Sequence, residues 1–160
     1  MVKIYVIDTN ILIQNPRALL SFEDNQVILP VVVLEELDNL KKAEGEKGRN
    51  ARTAIRILEE LRQRGDLLEG IPLESGGMMR VEKNFVNVPL PEDLPEGKRD
   101  SRILKVCKGL AESCGEQVVL VTKDILLRIK AQIIGIRAED YTTEQVADYE
   151  GQYKGRIEVY

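Results

Sequence analysis

Residues 117–134 read Gln117-Val-Val-Leu-Val-Thr122-Lys-Asp124-Ile-Leu-Leu-Arg-Ile-Lys-Ala-Gln-Ile-Ile134. The first six form a β-branched run too short for a helix and too apolar for a loop, the pattern of a strand buried on both faces. From Asp124 to Ile134 the spacing becomes helical. A buried strand feeding a helix is half of a βαβ unit, and the same grammar recurs outward along the chain. Lys3-Ile-Tyr-Val-Ile7 stops at Asp8, and Gln26-Val-Ile-Leu29 stops at Pro30. From Pro30 to Ala43 the sequence predicts a helix with Val33, Leu34, Leu37 and Leu40 at helical spacing, broken at Gly45 to Gly48. A second helix is expected over Arg49 to Arg64 on an Ala51, Ala54, Ile55, Leu58, Leu61 stripe, forming a hairpin with the first.

Residues 66–97 hold four of the six prolines and read as loop, apart from a strand-like piece at Met78 to Val81. A helix over Arg99 to Ser113 and a last short strand at Gly135 to Ala138 complete the pattern. The expected fold is therefore α/β, with three α/β/α layers around a mainly parallel central sheet. It occupies residues 1–140, and 141–160 reads either as a tail or as a linker to a domain outside this chain.

Composition narrows the chemistry. The 160 residues are 43% apolar and 31% charged, which excludes disordered and low-complexity classes. No apolar run approaches the roughly 20 residues of a membrane span, and a cytoplasmic location is expected. Cys107 and Cys114 lie on one helical face, about 10 Å apart and too distant for a disulfide, and read as small buried apolar residues. There is no histidine. That removes Ser-His-Asp and Cys-His nucleophile systems and nearly every zinc or copper site, leaving carboxylates or lysines to carry any catalysis.

Four acids do not fit a simple core-and-surface pattern. Asp8 and Asp124 follow strands at the end where open parallel sheets place ligands. Taken singly, each also reads as a helix cap. Asp100 falls on the stripe of Ile103, Leu104, Cys107, Ala111 and Cys114, where an unpaired carboxylate is costly. Glu36 lies on the flank of the Val33, Leu37, Leu40 face and can reach a site, whereas Glu35 points away and Asp38 is placed to pair with Lys41 or Lys42. Clustered carboxylates repel unless a cation neutralises them. With oxygen ligands only, the favoured cation is Mg²⁺ or Mn²⁺, which can activate water for phosphodiester cleavage.

At these residues the chain resembles the PIN domains, a Mg²⁺/Mn²⁺-dependent ribonuclease family. The matching segments are Val-Ile-Asp8-Thr-Asn-Ile-Leu, Val-Leu-Glu-Glu36-Leu, Asp100-Ser-Arg-Ile-Leu and Val-Thr-Lys-Asp124, in that order across positions 4–124. Leu34 to Lys42 followed by Gly48-Arg-Asn-Ala-Arg52 is most similar to the PIN domain that precedes a PhoH-like ATPase module. No Gly-x-x-x-x-Gly-Lys-Ser/Thr loop occurs, so the resemblance implies a PIN domain whose ATPase partner is either absent or outside this chain. Leu126 stands where relatives of this subgroup often carry a polar Asn.

Basic residues flank the acids: eight between Lys41 and Arg64 against four acids, and five between Lys98 and Lys108 against Asp100 alone. Lys41, Lys42, Arg49, Arg52, Lys98, Arg99 and Arg102 are the candidates to hold an RNA backbone. A solvated helix face explains the same charges equally well. Two Phe and no Trp argue against a base-stacking platform and hence for weak sequence readout. The expected function is metal-dependent hydrolysis of single-stranded RNA, with Asp8, Glu36, Asp100 and Asp124 as catalytic and metal-holding acids. The alternative is a catalytically weak RNA-binding or regulatory PIN module of a larger PhoH-like ATPase protein; a receiver-like phosphotransfer domain matches less well. A homo-oligomer is left open.

Overall fold

Lys3–Ile7 forms the central strand, β1, flanked by Gln26–Pro30 (β2) on one side and Gln117–Val121 (β5) on the other, both parallel to it. In this computed structural model, which describes residues 2–83, 85, 87–91 and 98–141, the sheet has six strands. Outside β2 lie Met78–Glu82 (β4, parallel) and then Ile71–Pro72 (β3, antiparallel), and outside β5 lies Arg137–Glu139 (β6, parallel). The last four residues of β1, β2 and β5 are all buried, as strands covered by helices on both faces must be. The helices are Thr9–Gln14 (α1), Val31–Leu40 (α2), Glu46–Arg62 (α3), Arg99–Cys114 (α4) and Ile125–Ile133 (α5). They flank the mainly parallel sheet as the outer layers of an α/β/α architecture, as the sequence predicts.

Several elements differ in detail. α1 and the 3-10 turn Pro16–Leu20 occupy a stretch to which the sequence assigned nothing, because six residues are too few to display a helical period. α3 begins at Glu46, not Arg49. The chain break is Gly45, with φ 84°, while Gly48 is already helical and buried where a Cβ would lie 1.8 Å from the Ala43 carbonyl oxygen. Its buried face is Ala51, Ala54, Leu58 and Leu61 joined by Ile57, with Ile55 only partly covered. The 66–97 stretch contains β3 as well as β4. The last strand starts at Arg137 because Gly135, with φ 83°, still belongs to the preceding turn.

Cys107 is buried as expected, but Cys114 is exposed: it is the final residue of α4, before Gly115 reverses the chain at φ 70°. Tyr141, first residue of the expected tail, is buried, its ring 5.6 Å from that of Phe22. Residues 142–160 lie outside the described residues. Among the described residues no helix is long and apolar enough to cross a membrane.

Gly77 joins the β3–β4 hairpin to the start of β2 at a distance no side chain fits. A Cβ there would lie 2.3 Å from the Asn25 carbonyl oxygen and 2.7 Å from that of Glu23. Gly77→Ala should therefore cost about 1–3 kcal/mol and lower the melting temperature by several degrees in thermal denaturation. An unchanged melting temperature would mean that this approach is looser than described.

Candidate active site

Asp8 ends the central strand and is fully buried. Its backbone N–H extends the ladder to Val121 of β5, 3.0 Å away, which fixes the carboxyl group beyond the strand ends. One carboxylate oxygen accepts from the Thr9 backbone N–H at 2.7 Å and from Arg99; the other accepts from the Thr122 hydroxyl at 2.6 Å and the Asn10 amide at 3.3 Å. Thr122, also fully buried, stands at the equivalent end of β5. Its hydroxyl accepts from the Asp124 backbone N–H at 3.1 Å and from the Asn10 amide at 3.2 Å. Asn10 completes the link by accepting from the Lys123 backbone N–H at 3.0 Å. Thus the ends of β1 and β5 are cross-braced by three short polar side chains.

Glu36 reaches the same place from α2. It accepts from the Thr9 hydroxyl and from Arg99, with a further Arg99 contact at 2.9 Å. Burial pushes its carboxyl group up, but the hydrogen bonds from Arg99 and Thr9 and the Arg99 charge outweigh that and hold it below the usual 4.5. Asp100 meets Arg99 at 3.1 Å through one oxygen and Lys130 of α5 at 3.2 Å through the other. One guanidinium therefore bridges Asp8, Glu36 and Asp100, drawn from three separated segments. Burial opposes its charge, yet Glu36 and Asp8 hold its proton far more firmly than in water.

Asp124 is used differently. It caps α5, accepting from the backbone N–H groups of Leu126 at 3.0 Å and Leu127 at 3.2 Å, and connects to Asp8 through Thr122. Among the described residues, no three Asp, Glu, Cys or His side chains are grouped as they stand to hold an ion; the carboxylates are spread around the guanidinium. A cleft of about 360 Å³ opens beside them, with Thr9, Asn10, Glu36, Asn39 and Arg99 as its polar lining and Ile13 and Leu40 as apolar walls.

Glu35 is exposed and paired with Arg102 at 3.1 Å, and Asp38 pairs with Lys41 at 2.8 Å. Arg52 donates to the Lys41 carbonyl at 2.7 Å, bracing the turn between α2 and α3. Among the basic candidates Arg52, Arg99, Arg102 and Lys41 thus have partners within the chain, while Lys42, Arg49 and Lys98 are exposed. Sequence reasoning assigned no role to Thr9, Asn10, Thr122 or Lys130. Thr122 was legible in principle, as a polar residue ending an otherwise apolar strand beside Asp8; Lys130 was not, because nothing in its spacing points to Asp100.

The PIN domain family model matches residues 5–142. The chain belongs to the PIN domain family. It is 45% identical to protein PhoH2 of Bacillus subtilis, covering all of this chain and 38% of that protein, and 38% identical to protein PhoH2 of Mycolicibacterium smegmatis, covering 91% and 33%. It spans about a third of the length of the curated relatives it matches. A solved domain of a functionally unknown protein from Methanocaldococcus jannaschii superposes with a TM-score of 0.56 at 20% identity, over 99% of this chain and 98% of that one. That likeness concerns the fold. PIN domains are generally nucleases and generally use divalent metals.

Because the Thr122 hydroxyl satisfies buried groups on both sides, Thr122→Val should leave an Asp8 oxygen and the Asp124 N–H short of partners. The expected cost is about 1–3 kcal/mol in urea denaturation. Wild-type stability in the variant would show that the brace contributes nothing.

Proposed function

We propose that this PIN domain is a metal-dependent endoribonuclease that hydrolyses phosphodiester bonds of single-stranded RNA, with Mg²⁺ or Mn²⁺ held by Asp8, Glu36 and Asp100 and with Asp124 at the margin. The observation that carries this reading is the convergence of the first three carboxylates on one cationic group at the carboxyl ends of the strands. The donors fit a hard divalent cation in kind, being carboxylate oxygens with no nitrogen or sulfur ligand among them. A divalent ion bound there supplies activation of water and neutralisation of the charge that develops on the phosphate. Around it, Thr122, Asn10 and the Thr9 N–H orient the Asp8 carboxylate, and the Thr9 hydroxyl orients Glu36, so the acids are positioned before substrate arrives.

The exposed Lys42, Arg49 and Lys98 are the basic side chains best placed to receive a phosphate backbone, and the shortage of aromatic residues favours weak sequence preference. The PhoH2 relatives are about three times as long, which leaves room for a PhoH-like ATPase module that we take to accompany this domain in the full-length protein. A cytoplasmic site of action suits both partners.

Incubation of the chain with end-labelled single-stranded RNA should give internal cleavage in Mn²⁺ or Mg²⁺ and none in EDTA. Asp8→Asn and Glu36→Gln should reduce cleavage to background, while Glu35→Gln, altered one residue away on the exposed side of α2, should stay close to wild type. Cleavage that survives both EDTA and Asp8→Asn would overturn the reading. RNA retention without metal-dependent cleavage would favour the alternative, a catalytically weak RNA-binding or regulatory module.

A further inference from the structure

Arg99 was a candidate for holding RNA, but its guanidinium is turned into the acid cluster. It bonds Asp8, which has no exposure to water, both oxygens of Glu36, and Asp100. The only other cation bonded to these three acids among the described residues is Lys130, on the far oxygen of Asp100. Three carboxylates thus face two side-chain cations, one charge short of balance, and the cation at the centre bonds all three of the acids that would hold a divalent ion. Arg99 takes four of the six carboxylate oxygens, Lys130 a fifth, and Thr122 and Asn10 the sixth, so a divalent ion drawn to these acids meets the guanidinium charge within a few ångströms and competes with it.

We propose that Arg99 is a resident counter-cation that competes with divalent metal for Asp8, Glu36 and Asp100, so that the domain binds metal only by expelling its own arginine. This rests on the metal-dependent reading above. The geometry allows the exchange. Arg99 is the first residue of α4, its side chain is one-third exposed, and it borders the open cleft beside Thr9, Asn10 and Asn39, so the guanidinium can leave without displacing core. Its bonds to the acids must be given up in the exchange, and the apparent metal affinity falls by the fraction of molecules in which Arg99 has already left. The same contact gives buried Asp8 a cationic partner and draws Glu36 and Asp100 towards it. Arg99 is a positioning residue here: it acts through the carboxylates and sets how tightly they take metal.

The test is calorimetric titration of the 160-residue chain with MnCl₂, beside melting temperatures in EDTA. Arg99→Gln removes the competitor and should bind Mn²⁺ on the order of tenfold more tightly than wild type, while melting lower in EDTA and recovering when Mn²⁺ is added. Arg62→Gln deletes an equal charge from a remote, exposed pair with Glu59 and should titrate as wild type. If Arg99→Gln does not fold without metal, Arg99→Lys carries the comparison, since a single ammonium cannot bridge three carboxylates and should also yield to Mn²⁺ more readily than Arg. Equal or weaker Mn²⁺ binding by the Arg99 variants, with wild type binding normally, would overturn the proposal and leave the metal reading intact. A gain shared by Arg62→Gln would overturn it as a general charge effect. Absence of Mn²⁺ binding in every protein would overturn the metal reading, and this proposal with it.

Discussion

A carboxylate at the end of the central strand of a parallel sheet has no water to solvate it. Asp8 is in that position, and leaving it unpaired would cost several kcal/mol, enough to consume a large share of a domain's stability. The chain answers with a fixed set of partners: a backbone N–H, a threonine hydroxyl, an asparagine amide and one guanidinium. Much of the surrounding architecture follows from delivering those groups. β5 must run parallel beside β1 so that Thr122 arrives at the same level. α4 must begin where Arg99 can reach inward, and α2 must present Glu36 towards Thr9.

The same constraint concentrates charge in one place. Carboxylates held together by a single monovalent side chain form a site whose charge a divalent ion would balance better, and the polar brace of Thr9, Asn10 and Thr122 keeps the oxygens aimed whichever cation they face. Cys107 lies deep beneath, its thiol pushed well above its ordinary value by burial and by the Asp8 charge, and is chemically inert. The ionic groups are therefore gathered at the strand ends, beside the cleft.

Most of the fold could be read from local pattern, because buried parallel strands are short apolar runs and the longer helices are long enough to show their period. What escaped was short or decided at a distance. α1 has too few residues to reveal a stripe, β3 is two residues defined only by pairing with β4, and Ile57 and Ile55 flank the Ala54–Leu58 stripe on opposite sides, so which of them is covered depends on the elements packed against α3. The site shows the same division. Asp8, Glu36 and Asp100 stood out because acids at strand ends or on apolar flanks are costly without a reason. Asp124 had two readings, and its hydrogen bonds realise the cap. Arg99 read as a surface cation because a sequence gives the sign of a charge and its neighbours along the chain, while the carboxylates that capture it lie 63 and 91 residues away.

The central claim is that Arg99 and Asp8 need one another in the metal-free fold. A double-mutant cycle of Asp8→Asn and Arg99→Gln, measured by chemical denaturation in EDTA, isolates that dependence. The account predicts that the double variant is more stable than the sum of the single losses implies, with a coupling on the order of 1–3 kcal/mol, because the Asp8–Arg99 contact is lost in either single variant and so is counted twice in their sum. Losses that add to within about 0.5 kcal/mol would contradict it.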